Sequence, residues 1–389
     1  MLLKLVTAAA AATAGVVVAL RLWKDSTQRQ AAEGCRPVES LEGIRAQLPR
    51  DLWYPEGEGT EPIDAIWALL EGVLRQHGLD VWKHRFATCV WPGSDDQKPT
   101  CGGFGYATSY RGRGRRQGQV GFFNRFDYTN ASSRPARCRD GRDVIVRVIC
   151  IGNKGRTHLD ILRKVAHGQM SLFSDNHALP LLDTIEFEDI TFGLFPMSGF
   201  SLATTYKSWA QNSVGDVVNM IMQALEGLAF LHRHGIAHRD AFPSNFLVQW
   251  QPESMALGAP CVSQPRVYLI DFECAVAFPD GCPSEERVCV GYPLAGSLEG
   301  CPLDEYCRGV PPEVESGRPY DPFKLDVWQL GTGLSDLRTT IPEIDEALLA
   351  MINPEAATRV TASRALERLV EVLSSMPPRA LLIKPEYVR

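Results

Sequence analysis

Residues 231–245 read LHRHGIAHRDAFPSN, and the fold is decided by this loop and by what leads into it. Immediately upstream, Val217, Ile221, Ala224, Leu225, Leu228 and Leu231 recur at helical spacing, so a helix with one buried face runs straight into the loop. The loop then carries both Asp240 and Asn245. Further on, Tyr268-Leu269-Ile270-Asp271-Phe272-Glu273 reads as an apolar strand that delivers an aspartate to its end, beside the first loop. Phosphoryl transfer asks for this kind of set: a carboxylate to orient an attacking hydroxyl and polar groups to hold Mg.

The order His238-Arg239-Asp240, Asn245, Asp271-Phe272-Glu273 resembles the catalytic loop and the metal-binding DFG position of protein kinases. Three further stretches extend the likeness. Pro311-Pro312-Glu313 resembles the motif that closes the activation segment. Asp326 to Gly331 (DVWQLG) looks like the start of the large helix of the second lobe, whose buried aspartate braces the catalytic-loop backbone. Arg359 matches the arginine that pairs with the closing glutamate, which implies a Glu313–Arg359 ion pair. The wording resembles a divergent fungal kinase-like family within the eukaryotic protein kinase superfamily. The likeness runs from about residue 100 to 375 and is densest from 217 onward. It implies a catalytic group of Asp240, Arg239 and His238. It implies ATP and Mg as cofactors, with Asn245 and Asp271 on the metal, and it implies Arg147 near the phosphates, with Gly103 and Gly105 as a candidate phosphate loop that reads equally as a flexible turn.

The departures are as informative. In the strand Asp143 to Cys150 (DVIVRVIC), Arg147 stands where a kinase has its phosphate-binding lysine, and a planar guanidinium does not replace an ammonium neutrally. In the following helix His158 falls where the lysine's glutamate partner is expected, and Asp160 lies nearby but out of phase. Phe242 takes the place of the catalytic-loop lysine, and Glu273 that of the DFG glycine, which removes a residue free to adopt positive φ. Small-molecule kinases resemble this last pattern. Lys154 and Lys164 are alternative sources of positive charge. The activation segment, 271–313, holds Ser284, Tyr292, Ser297 and Tyr306; each reads either as an ordinary loop residue or as a phosphosite for Arg239 to clamp. Three readings stay open: an active Ser/Thr protein kinase, a pseudokinase that binds nucleotide or serves as a scaffold, and a small-molecule phosphotransferase.

Composition sets the outer bounds. The chain has 389 residues, 45% hydrophobic and 22% charged, with a net charge of -6. These are globular values with no basic surplus, so a nucleic-acid partner is not expected; the kinase resemblance implies a protein substrate or binding partner. The basic run Arg111 to Arg116 reads as a solvated loop. Eleven cysteines without a CxxC pair read as free thiols. Leu5 to Leu20 is apolar, flanked by Lys4 and by Arg21 and Lys24. Residues 2–23 therefore suit either a removed leader or a membrane anchor with the remainder in the cytosol.

The expected organisation follows. Residues 1–24 form the leader or anchor and 25–99 an N-terminal extension, of which 25–60 read as polar linker and Pro62 opens a helix that Gly78 ends. Residues 100–197 form a small β-rich lobe, 198–376 a helical lobe and 377–389 a tail. The fold class is α+β, two-lobed and protein-kinase-like, with an N-terminal hydrophobic helix.

Overall fold

The computed structural model describes residues 43–49, 52, 61–86, 89–91, 126–127, 131–198, 200–208, 212–249, 265–293, 306 and 308–388. The hydrophobic segment 2–23, the glycine pair 103 and 105, the basic run 111–116 and Ser297 lie outside them. The chain divides into two compact units, residues 1–100 with 125–142, and residues 101–124 with 143–389.

In the first unit, α1 (Ile44–Gln47) is a single turn, and α2 (Glu61–Gln76) is amphipathic. Ile66, Trp67, Leu70, Val73 and Leu74 line its buried face. Gly78, at φ 79°, supplies the left-handed step that leads into β1 (Leu79–Val81). The ladder β2 (Lys83–Phe86), β3 (Cys89–Trp91) and β4 (Phe126–Asp127) is antiparallel. The strand β5 (Ser133–Cys138) runs antiparallel to β1. Trp67 Nε1 donates to the Ala131 carbonyl at 2.9 Å, and the buried Arg134 reaches Asp64 at 2.8 Å. Leu48 and Leu52 are buried although their surroundings read as a polar linker. Two isolated leucines carry no periodicity, so burial there was invisible in the sequence.

The second unit contains the scaffold of the motifs. Its first part is an antiparallel ladder of β6 (Asp143–Ile151), β8 (Ile190–Pro196) and β7 (Asp183–Phe187), with α3 (Arg156–Val165) packed beside β6. Every residue of β8 is buried, which explains its unbroken apolar run. The short α4 (Leu202–Ser208) is followed by α5 (Val214–Arg233). This helix starts with a reciprocal capping box between Ser213 and Asp216, which satisfies two otherwise orphaned donors. It is the one described helix long and apolar enough to cross a membrane, but most of it is buried in the core. It delivers the chain through β9 (Ile236–Ala237) into the loop at 238–245.

Beyond the loop, β10 (Phe246–Gln249) pairs with β11 (Arg266–Leu269), aligning Phe246 with Leu269, and β12 (Val276–Ala277) pairs with β9. The register carries Asn245 and Asp271 to the same end of the hairpin. The remaining elements are α6 (Pro312–Glu315), α7 (Pro322–Thr332), β13 (Leu337–Arg338), α8 (Pro342–Met351), α9 (Ala362–Ser374) and β14 (Glu386–Tyr387). Residues read as a tail are structured: β14 pairs with β13, and Ile383 accepts from Val214 N at 2.8 Å. The fold is mixed α+β with an antiparallel sheet and several helices, compatible with a two-lobed kinase-like arrangement.

Candidate functional site

The site is built on a rigid floor. Asp326, fully buried on α7, accepts from the backbone amides of His238 at 2.8 Å and Arg239 at 2.6 Å, and from His232 Nε2 at 2.9 Å. Three residues along the same helix, Gln329 accepts from Ala241 N and donates to Arg239 O, both at 2.8 Å. These bonds hold Arg239 at φ 64°, a left-handed conformation that a non-glycine residue keeps only when its surroundings over-determine it. Gly333 ends the same helix directly under the loop: a Cβ there would stand 2.3 Å from Pro243 Cδ, so this close approach requires glycine. Reading the motifs by themselves misses Gln329. The available signal was its spacing from Asp326, which puts both side chains on one helix face.

Asp240 and Asn245 then meet. Asn245 Nδ2 donates to Asp240 Oδ2 at 2.7 Å and to the Asp240 carbonyl at 2.8 Å, leaving the amide oxygen available. Asp240 Oδ1 is buried and has no hydrogen-bond partner. Burial pushes the Asp240 carboxyl up from its ordinary value, against the opposing pull of Arg308. Asn245 O accepts from Ile270 N at 2.9 Å, which tethers the loop to the residue before Asp271. Asp271 itself sits at φ 69°.

Around Arg147 the pairing differs from the one that the kinase resemblance implies. Arg147, on β6, donates through Nη2 to Asp271 Oδ1 at 2.9 Å and to Glu273 Oε1 at 2.5 Å. Glu273 therefore provides a carboxylate for the strand cation, a role that α3 leaves vacant. On that helix His158 is buried and held neutral, its pKa pushed down to about 3 by burial and then by the Arg147 guanidinium. Asp160 is exposed and pairs with Arg156 on the surface at 3.5 Å. One guanidinium between two half-buried carboxylates splits them. Burial works to raise the Asp271 carboxyl, but Arg147 pulls it below its ordinary value; burial and the neighbouring Asp271 push Glu273 up. Arg147 is correspondingly raised: burial opposes its charge, but Asp271 and Glu273 outweigh it. Arg147 Nε remains a buried donor without a partner. Lys164 lies 4.0 Å from the exposed Asp280 and takes no part in this pairing.

The other motif residues brace the segment that follows. Arg359, buried, donates to Glu313 at 2.6 and 3.3 Å and to the carbonyls of Asn353 at 2.8 Å and Lys324 at 3.1 Å. Arg239 donates to the carbonyls of Tyr292 at 3.1 Å and Cys274 at 3.4 Å, and to the Tyr320 hydroxyl at 3.4 Å. It is thus engaged with the segment that follows the second loop. His238 Nε2 bonds the Ile270 carbonyl at 2.9 Å, and its ring packs on Phe272, so it couples the two loops. Arg308, which sequence reasoning passed over, lies beside the catalytic loop, with Nε 3.5 Å from Asp240 Oδ1.

The residues fit the cofactors that a kinase-like site implies. Asn245 and Asp271 offer hard oxygen donors suited to Mg, and among the described residues no cluster of three or more His, Cys, Asp or Glu competes for a metal. Mg characteristically completes its shell with phosphate oxygens and water, so two protein ligands suffice. The partnerless Arg147 Nε and Asp240 Oδ1 are an orphaned donor and an orphaned acceptor of the kinds that a phosphate and a hydroxyl would satisfy.

No protein-family profile matches the chain. Among curated proteins, it is 24% identical over 187 residues to sperm motility kinase Z of Mus musculus, covering 48% of this chain and 32% of that protein. It is 28% identical over 128 residues to a serine/threonine-protein kinase of Schizosaccharomyces pombe, covering 33% and 22%. With calcium/calmodulin-dependent protein kinase type 1 of Caenorhabditis elegans it shares 24% identity over 174 residues, covering 44% and 40%. The matched stretches span less than half the length of each of these relatives. Taken with the geometry above, these similarities support a protein-kinase-like superfamily for this chain.

Proposed function

We propose that the chain is a phosphotransferase of the protein-kinase type, moving the γ-phosphoryl group of ATP, with Mg, to a Ser or Thr hydroxyl of a protein. The observation that carries this reading is the buried, unpartnered Asp240 Oδ1, anchored through its other oxygen by Asn245 and standing on the same loop system as Asp271. Asp240 would accept a hydrogen bond from the acceptor hydroxyl. As that oxygen bonds to the γ-phosphorus and the bond to the β–γ bridging oxygen breaks, the hydroxyl proton passes to Asp240 and then to solvent, and ADP leaves. A carboxyl raised by burial is the better base for this transfer. Asn245 and Asp271 would hold Mg, which when bound neutralises phosphate charge. Arg147 Nε would donate to a phosphate oxygen while Nη2 stays with Asp271 and Glu273. Residues 2–23 would anchor the domain to a membrane from its cytosolic side.

A second reading, a pseudokinase that binds nucleotide or a partner without turnover, draws on one specific observation: the strand cation is already shared between two carboxylates. Transfer of labelled γ-phosphate to a degenerate mixture of Ser/Thr peptides separates the two. The phosphotransferase reading expects wild-type turnover, a loss of roughly 10²–10⁴-fold in Asp240→Asn, and background levels in Asp271→Asn. Turnover that survives Asp271→Asn contradicts the metal assignment. No turnover in wild-type chain that binds Mg-ATP selects the second reading.

A further inference from the structure

The catalytic loop has Phe242 where kinases carry a lysine, so it lacks the cation that would sit between the catalytic aspartate and the transferring phosphoryl group. Yet a cation is present. Arg308 comes from the segment that leads into Pro311, outside the loop, and three contacts fix it there. Its guanidinium carbon stands 4.9 Å over the Phe242 ring centroid. Its Nη1 donates to Ser244 Oγ at 3.1 Å. Its Nε lies 3.5 Å from Asp240 Oδ1, an ion-pair separation too long to satisfy that oxygen. The residue that removed the lysine is therefore also the platform on which the arginine rests, since a flat guanidinium stacks on an aromatic face. Arg308 remains 37% exposed, so the edge not facing the loop is open to a ligand.

We propose that Arg308 is a catalytic residue: it contacts the γ-phosphoryl group of a bound nucleoside triphosphate and supplies from the activation segment the charge that the loop lacks. This rests on the phosphotransferase reading for its consequence in turnover, but not for the contact itself. While the acceptor oxygen bonds to phosphorus and the bond to the bridging oxygen breaks, negative charge spreads over the equatorial oxygens, and Arg308 would balance it. Because Arg308 lies in the segment between the two loops and the closing motif, cation and peptide-facing segment would then be positioned together.

The test compares wild type, Arg308→Ala, Arg308→Lys and the double variant Arg308→Ala with Phe242→Lys. Two readouts are used: turnover of ATP with the degenerate Ser/Thr peptide mixture, and relative affinity for ATP and ADP, each with Mg, from thermal shifts. Arg308→Ala is expected to lower kcat by about 10²–10³-fold, the range for removing one transition-state donor, and to reduce the preference for ATP over ADP about tenfold. Lysine at 242 should restore both in the alanine background, and Arg308→Lys should keep part of each. A merely structural arginine would weaken ATP and ADP alike and would not be rescued from position 242. Unchanged kcat and unchanged ATP preference in Arg308→Ala overturn the proposal, as does loss without rescue. If wild type shows no turnover but an ATP preference that depends on Arg308, the contact stands and the phosphotransfer reading falls. If wild type binds neither nucleotide, both fall.

Discussion

The floor of the site and the surroundings of Arg147 obey different rules. The floor is a closed set of short bonds: Asp326 and Gln329 hold the backbone from His238 to Ala241, and Glu313–Arg359 locks the segment beyond. Asp326, Glu313 and Arg359 make the contacts that their motifs imply, and Gln329 joins them from outside any motif reading. Around Arg147, one cation is fixed near Asp271 by other parts than the motifs imply. Arg147 stands where the resemblance places a lysine, Glu273 provides a carboxylate that it meets, and a buried neutral His158 occupies the helix position where a glutamate is expected. Backbone-clamping groups have few substitutes because they serve fixed amides. A charge pair needs only to converge, and any nearby element can provide its second member.

The sharpest way to break this comparison is at Arg359. Removing one partner of a buried pair strands the other, so Arg359→Met is expected to cost about 3–5 kcal/mol of unfolding free energy in urea titrations. A loss below about 1 kcal/mol would show that the floor is not the rigid region described.

Arg147→Met comes next. It leaves Asp271 and Glu273 without their shared cation, and a cost of about 2–3 kcal/mol at pH 7.5 is expected, less than at Arg359 because these two carboxylates are partly solvated. The Glu273 carboxyl, already raised, would then take up a proton, so part of the loss should be recovered at pH 5.5. In a double-mutant cycle with Glu273→Gln, coupling above about 1 kcal/mol is expected. Additive effects would mean that Arg147 and Glu273 are neighbours without being partners.

His158 gives a smaller, pH-dependent effect. Its folded pKa of about 3 lies below the unfolded value of 6.5. The unfolded chain therefore binds more protons between these values, and stability from this group falls as pH falls through that window. Between pH 7 and pH 5 wild type should lose roughly 2 kcal/mol more than His158→Leu, read as the difference between their two stability–pH curves. Parallel curves would place a charged or solvent-reached histidine at this position.

The parts of the molecule legible in the sequence were those with local signatures. Strand 143–151, α5 and the bracing residues Asp326, Glu313 and Arg359 each sit in a short pattern with its own period or motif. The Arg147–Glu273 pair was not legible: 126 residues separate its members, and both are substitutions that look like losses when read singly. Arg308 was hidden for the same reason, because its meaning depends on Phe242 lying beneath it. The buried Leu48 and Leu52 show the limit from the other direction, where two apolar residues without periodicity pack as core.

The most direct measurement is the thermal shift of the purified chain with millimolar ATP, with and without Mg. At a hundred times the dissociation constant a ligand bound only by the folded state stabilises it by about 2.7 kcal/mol, or roughly 5 °C or more for a unit of this size. The account predicts a rise with ATP that Mg enlarges, and that Asp271→Asn removes the Mg-dependent part while leaving the fold intact. No rise at any ATP concentration with Mg present would contradict it, because the floor would then support a site that holds no nucleotide.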